Sequence, residues 1–284
     1  MNFVRSNTAL SFLLALVLGI SMAVMIQCKI KDNTERAYFD HLAQYIRVQR
    51  TGFNEDSIIL DALHLTHRLL AARSEVFSTP LPNTPETNSG TLTGDLMTAD
   101  GACDSYADVL CETLTTLGFE SRIAQMKVNG RFGGHIITET LTSSGWVVLD
   151  ASSDQSFTTP QGRLASFKEV SANWNYYKQQ TGKNYNPDYT YSDVRYTNWD
   201  KIPVIMPLIR KALVLTIGSS RTKAISIIPK VLRRYAIYYH LLLSSFLALA
   251  ATLLLKLFIR VRKRRPFGYS STLSPESPEL GSFS

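Results

Sequence analysis

Cysteine is scarce in this chain: Cys28, Cys103 and Cys111 are the only three among 284 residues. At most one disulfide could form and one thiol would always be left over, which excludes a disulfide scaffold. Cys103 and Cys111 lie eight residues apart, about two helical turns or ~12 Å by helical rise, too far for a bridge. No cysteine spacing matches a zinc motif. His64 and His67 stand three apart, but no third ligand presents itself nearby, so they read as capped or solvent-facing histidines. Neither a metal nor a cofactor is expected. Also missing is a basic surface of the kind that holds nucleic acid. The formal charge is +7, yet much of it sits in Arg260, Arg262, Lys263, Arg264 and Arg265, directly after an apolar run. That placement is a membrane-flanking signal, and no nucleic acid is expected as a partner.

What the chain does have is an uneven distribution of apolar residues. Charge is absent from Ala9 to Ile26 (ALSFLLALVLGISMAVMI), a stretch long enough to cross a bilayer as a helix. Ser21-Met22-Ala23 resembles a signal-peptidase site, but the apolar run continues beyond it, and residues 1–28 read as an uncleaved signal anchor. Gln27 immediately before Cys28 argues against lipoprotein processing. A second span covers Tyr235 to Ile259, with Tyr235, Tyr238 and Tyr239 at one interface and RVRKRR at the other. Two spans put both termini on one side. The basic end assigns that side to the cytoplasm, leaving the middle on the extracytoplasmic (periplasmic or extracellular) side. Basic residues also flank the middle region, at Lys29, Lys31, Arg36 and Arg47 and again at Lys223, Lys230, Arg233 and Arg234.

Between the spans, residues 29–200 read as one folded domain, followed by a juxtamembrane segment at 201–234. Residues 260–284 form a basic, then polar, disordered tail. Helical periodicity appears over Thr34–Arg50, Glu55–Phe77 and Cys103–Leu117, with Gly118 placed to end the last. Ser78 to Asn88 carries three prolines, and polar sequence continues to Ala102, so a long loop is expected before Cys103. Strand-like runs follow at Ser121–Val128, His135–Leu141 and Trp146–Asp150, joined by turns at Asn129-Gly130 and Ser143–Gly145. Leu164–Gln180 reads as one helix, and Asn184–Asp200 as an irregular Tyr- and Asn-rich stretch packing across the domain. Val204–Ile228 is either an amphipathic segment near the membrane or a terminal domain helix. One helix feeding an antiparallel sheet implies an α+β fold.

The chemistry-bearing residues sit at the joints of these elements. Cys103 opens a helix, where partial positive charge and free N–H groups stabilise a thiolate and could hold an oxyanion. Gly101 would let the chain turn closely into that helix. His135, following Gly133-Gly134 on a strand, is placed to take the thiol proton and return it to a leaving group. Asp150 ends the next strand, alongside His135, where it can orient the ring. Cys111 lies inside the same helix with no such advantages and reads as a small core residue.

The segments GACDSYADVLCETLTTLGFESRIAQMKV, GGHIITETL and GWVVLDAS resemble, in order, the core of the transglutaminase-like superfamily, in a bacterial membrane-anchored form. The resemblance covers Thr98 to Ser153. It implies a papain-like α+β core, residues 98–153 of the 29–200 domain, with the Cys helix packed on an antiparallel sheet. It places the nucleophile at Cys103, the general base at His135 and the orienting acid at Asp150. Ile136 departs from the small residue commoner after the family's histidine, and Gly90 to Asp100 contains no recognisable side-chain donor for an oxyanion. The implied activity is acyl transfer through a thioester on Cys103, hydrolysing or transamidating a protein or peptide substrate. The alternative is an inactive transglutaminase-like module that binds other envelope proteins.

Overall fold

The computed structural model describes residues 2–49, 54–77, 90–99 and 102–264. The expected proline-containing loop at 78–88, Gly101 and the tail from residue 265 lie outside the described residues. The chain divides into two units, Met1–Met25 with His240–Ser284, and Ile26–Tyr239. The first unit holds most of the two apolar runs. The helices that carry them, described as spans over Phe12–Val48 and Arg234–Arg262, are both long and apolar enough to cross a membrane.

Helix α1 runs unbroken over Asn2–Val48. An anchor and a separate helix from Thr34 were expected here. The stretch joining them, QCKIKDN, contains neither glycine nor proline, so nothing interrupts the hydrogen-bond ladder. Within the second unit, α2 (Glu55–Phe77) buries Ile59, Ala62, Leu63 and Leu70 completely, the recurrence of an amphipathic helix. The stretch before Cys103, expected as loop throughout, contains a short helix α3 (Leu92–Thr98). Thr91 caps it by accepting the Gly94 amide, and Leu92 anchors it in the core. Helix α4 (Cys103–Leu117) ends at Gly118, whose φ of 100° lets its amide reach back to the Leu114 and Thr115 carbonyls.

Strands β1 (Ser121–Val128), β2 (Arg131–Thr142), β3 (Gly145–Asp150), β4 (Gln155–Ser156) and β5 (Val194–Arg195) form one antiparallel sheet in the order β4-β3-β2-β1-β5. Alternation along the strands divides the core. On one face Ile123, Val147 and Leu149 pack with α1, α2 and α4 through Phe39, Leu63, Leu110 and Leu114. On the other, Met126, Ile137 and Val148 meet an aromatic layer that includes Phe157, Tyr177 and Tyr191.

The expected helix over Leu164–Gln180 is instead α5 (Phe167–Ala172), α6 (Trp174–Tyr177) and a 3-10 turn at Lys178–Gln180. Two local signals divide it. Ser166 and Glu169 form a reciprocal capping box that fixes the start at Phe167, and Asn173, at φ −137° and ψ 51°, breaks the helical path. The Tyr-rich stretch after it supplies β5 and lies across the sheet. The chain then continues through α7 (Ile205–Ile217), α8 (Ser219–Ala224) and α9 (Ile228–Val231) to α10 (Arg234–Arg264). The result is a mixed α+β domain around a five-stranded antiparallel sheet, in a chain with an apolar helix towards each end.

Candidate active site

Cys103 is the first residue of α4 and is half-buried. The residue that turns the chain into the helix is Ala102, with φ 48° and ψ −121°, a conformation natural to glycine and costing a side-chain-bearing residue roughly 1–3 kcal/mol. The first turn is pinned from behind: the Ser105 hydroxyl donates to Asp95 on α3 at 2.8 Å. This anchor, supplied by a helix that sequence reasoning took for loop, fixes where the Cys103 thiol stands.

His135 lies on β2 beside a local irregularity. Met126 pairs with His135, but Lys127 pairs with Phe132, so Gly133 and Gly134 bulge out of the ladder. Both need to be glycine. Gly133 has φ +87°, and a Cβ on Gly134 would stand 2.7 Å from the Val128 Cβ. The bulge ends at His135, which points into the aromatic side of the sheet. Thr138 pairs with Leu149, so the register sets Asp150 opposite Ile137, two residues along from His135 and on the same face. From that diagonal position the His135 Nε2–H donates to Asp150 Oδ2 at 2.8 Å.

Asp150 is wholly buried and wholly satisfied. Its Oδ2 also accepts the Tyr185 hydroxyl at 2.9 Å, while Oδ1 accepts the Ser152 hydroxyl at 2.9 Å and the Ser153 amide at 3.3 Å. Burial alone would favour the neutral acid. The hydrogen bond and charge of His135, with the hydrogen bonds of Ser152 and Tyr185, outweigh it and hold the Asp150 pKa below its ordinary value. Tyr191 hydrogen-bonds Tyr185 at 2.8 Å, so a continuous chain runs from Tyr191 through Tyr185 and Asp150 to His135. Tyr189 covers the imidazole, its ring stacked at 3.9 Å and 16°.

The remaining ring nitrogen, His135 Nδ1, is buried and makes no hydrogen bond of normal geometry among the described residues. Cys103 nevertheless acts on the ring. Burial opposes the imidazolium, but the Asp150 hydrogen bond, the Cys103 thiol and the charges of both prevail, raising the His135 pKa to about 9.

The turn after Asp150 is braced from α2. His64 Nδ1 meets Asp154 Oδ1 at 2.7 Å, and His67 Nδ1 meets the Ala151 carbonyl at 2.9 Å. The two histidines therefore cap a turn that positions the carboxylate. No group of three or more potential metal ligands occurs among the described residues.

Cys103 lines a cleft of about 400 Å³ together with Ile123, Gln125, Gly133 and Ile136. Gln125 contributes a side-chain amide to that lining. Arg195 donates to its Oε1 at 2.7 Å, which orients the amide and leaves its N–H groups for other partners. The lining also includes the acids Asp95, Asp104 and Asp108 and the cations Lys201 and Arg234. Asp108 is raised to about 8 by burial and by the neighbouring charges of Asp95 and Asp104. Arg122, four residues after Gly118, does not line this cleft. It is clamped between the Trp146 and Tyr196 rings and pairs with Glu139 at 2.8 Å, tying β1 to β2.

The structure thus brings Cys103, His135 and Asp150 together. Sequence reasoning missed Tyr185, Tyr189, Tyr191 and Gln125. Their roles depend on long-range packing, and the only signal was the tyrosine enrichment of Asn184–Asp200. Comparison with family models, curated proteins and solved structures gave no match to this chain.

Proposed function

We propose that this protein is a membrane-tethered cysteine acyl-transfer enzyme with a transglutaminase-like core, acting on a protein or peptide amide. The observation that carries the proposal is the buried His135–Asp150 pair, whose second ring nitrogen is left without a hydrogen bond in a site shared with Cys103 at the start of α4. Asp150 and Cys103 together favour the protonated ring, and Nδ1 is the atom through which that proton can be exchanged with the thiol.

In the proposed reaction His135 Nδ1 takes the Cys103 proton and Sγ attacks the amide carbonyl. Negative charge collects on the carbonyl oxygen, where the amides opening α4 and the side chain of Gln125 are the available donors. As the C–N bond breaks, the imidazolium returns its proton to the departing amine, leaving a thioester on Cys103. Water or a second amine then attacks the thioester after losing a proton to His135, and the thiol is regenerated. Asp150 retains its charge throughout and stabilises the imidazolium.

The domain is proposed to lie on the extracytoplasmic side, with the C-terminal tail in the cytoplasm. The basic residues flanking the domain carry less weight against this orientation because several are internally paired. Lys29 and Arg36 meet Asp32 at 3.4 Å, and Arg233 bridges Asp32 and Glu112. The tail's RVRKRR cluster remains the stronger orienting signal.

The test is an assay of the full-length protein in detergent with a peptide mixture, scoring both new amino termini and incorporation of a fluorescent primary amine. Activity lost in Cys103→Ala supports the enzyme. Folded protein inert in both readouts directs attention to the inactive binding module.

A further inference from the structure

Helix α7 is the most apolar element of the Ile26–Tyr239 unit without a buried residue. Ile205, Leu208, Ile209 and Leu215 lie at helical spacing on one face, with exposures of 56%, 60%, 41% and 86%. A face of this kind in water implies a partner. The charge around it is one-sided. From Lys201 to Arg234 the chain has eight lysines and arginines and no aspartate or glutamate. Among the described residues Arg210, Lys211, Arg221 and Lys223 form no ion pair. Beside the apolar face a groove of about 570 Å³ is lined by Arg210, Lys211 and Ser219, with Pro207, Val214, Leu215 and the single acid Asp200.

We propose that α7 is an interfacial helix that lies in the headgroup layer of an anionic bilayer, with the groove beside Arg210 and Lys211 receiving lipid phosphate. An exposed apolar stripe whose adjoining sector carries several cations against the single acid Asp200 is the composition that partitions into such a layer. The chain supplies the surface itself: only sixteen residues separate Ile217 from Arg234, where the second membrane-length helix begins. The inference requires a membrane but no catalysis, so it stands or falls apart from the role of Cys103.

The test uses the full chain with Cys28→Ser, Cys103→Ser and Cys111→Ala, carrying a spin label at Leu208→Cys, at Leu215→Cys or, as an exposed control, at Lys178→Cys. Each is reconstituted in vesicles of phosphatidylcholine with or without phosphatidylglycerol, and collision with oxygen and with an aqueous nickel chelate is measured. With phosphatidylglycerol, the labels at 208 and 215 are expected roughly 5–10 Å below the phosphates, while the control stays in water. Arg210→Glu with Lys211→Glu is expected to return both to water. Control-like access to nickel in both lipids overturns the proposal, and so does equal insertion in pure phosphatidylcholine. Dipolar broadening independent of lipid also overturns it, assigning the face to a second copy of the chain.

Discussion

Helix α4 carries two cysteines eight residues apart, one at its start and one in its interior, and the molecule treats them differently. Cys103 is half-buried at the helix start, lines the cleft and influences an imidazole. Cys111 has no exposed surface, packs in the core with Leu110 and Leu114, and is pushed far up in pKa by burial and by the charges of Asp108 and Glu112. The contrast teaches that reactivity belongs to position rather than to residue type. Helix-end donors, an adjacent base and access to a cleft are all present at Cys103, and all are lacking two turns later.

The largest expected effect separates the two thiols. Cys103→Ala should abolish turnover with little change in melting temperature. Cys111→Ala should keep most activity and cost about 1 kcal/mol, as a small truncation in a packed core. Equal loss of activity in the two variants, measured beside thermal denaturation, would break the comparison.

Tyr185→Phe probes the support behind the reactive end. It removes one of four hydrogen bonds to a buried carboxylate, an expected loss of roughly 1.5–3 kcal/mol in stability, with activity falling by less than His135→Ala lowers it. His135→Ala itself should reduce turnover by about 10²–10⁴-fold.

A smaller effect concerns Asp108, which lies between the two cysteines. Its folded pKa of about 8 stands above the ordinary 3.8. Between those values the unfolded chain has released the proton while the folded one retains it, so stability falls as pH rises from about 4 to about 8. Asp108→Asn should flatten that slope, read as melting temperature against pH. His135 adds a slope of its own. Its stabilisation is complete below about pH 6.5 and is lost as pH rises through about 9.

Much of this was legible in the sequence where the determinants are local. The ends of α2, α4 and β1 follow from apolar period, the Gly118 terminator and the Asn129-Gly130 turn. Cys103, His135 and Asp150 could be singled out because Cys103 opens α4, Asp150 ends β3 and His135 follows the glycine pair of the bulge. The rest depended on contacts far apart in the chain. Helix α3 is only seven residues long, so the one-turn spacing of Leu92 and Leu96 was too brief to stand out after the prolines and polar residues before it. The division at Asn173 turns on one residue's backbone angles. Tyr185, Tyr189 and Tyr191 belong to no regular element, and only the folded aromatic layer brings them to His135 and Asp150.

The central claim is that Cys103 and His135 form one reactive pair, and pH-dependent alkylation tests it most directly. Full-length protein and its His135→Ala variant would be treated with a limiting electrophile from about pH 5 to about pH 9, with each cysteine followed by mass spectrometry. The account predicts rapid labelling of Cys103 at the acidic end, slowed to the rate of an ordinary thiol by His135→Ala, with Cys111 unmodified until the protein unfolds. Slow labelling of Cys103 that rises only at alkaline pH and ignores the histidine would contradict it.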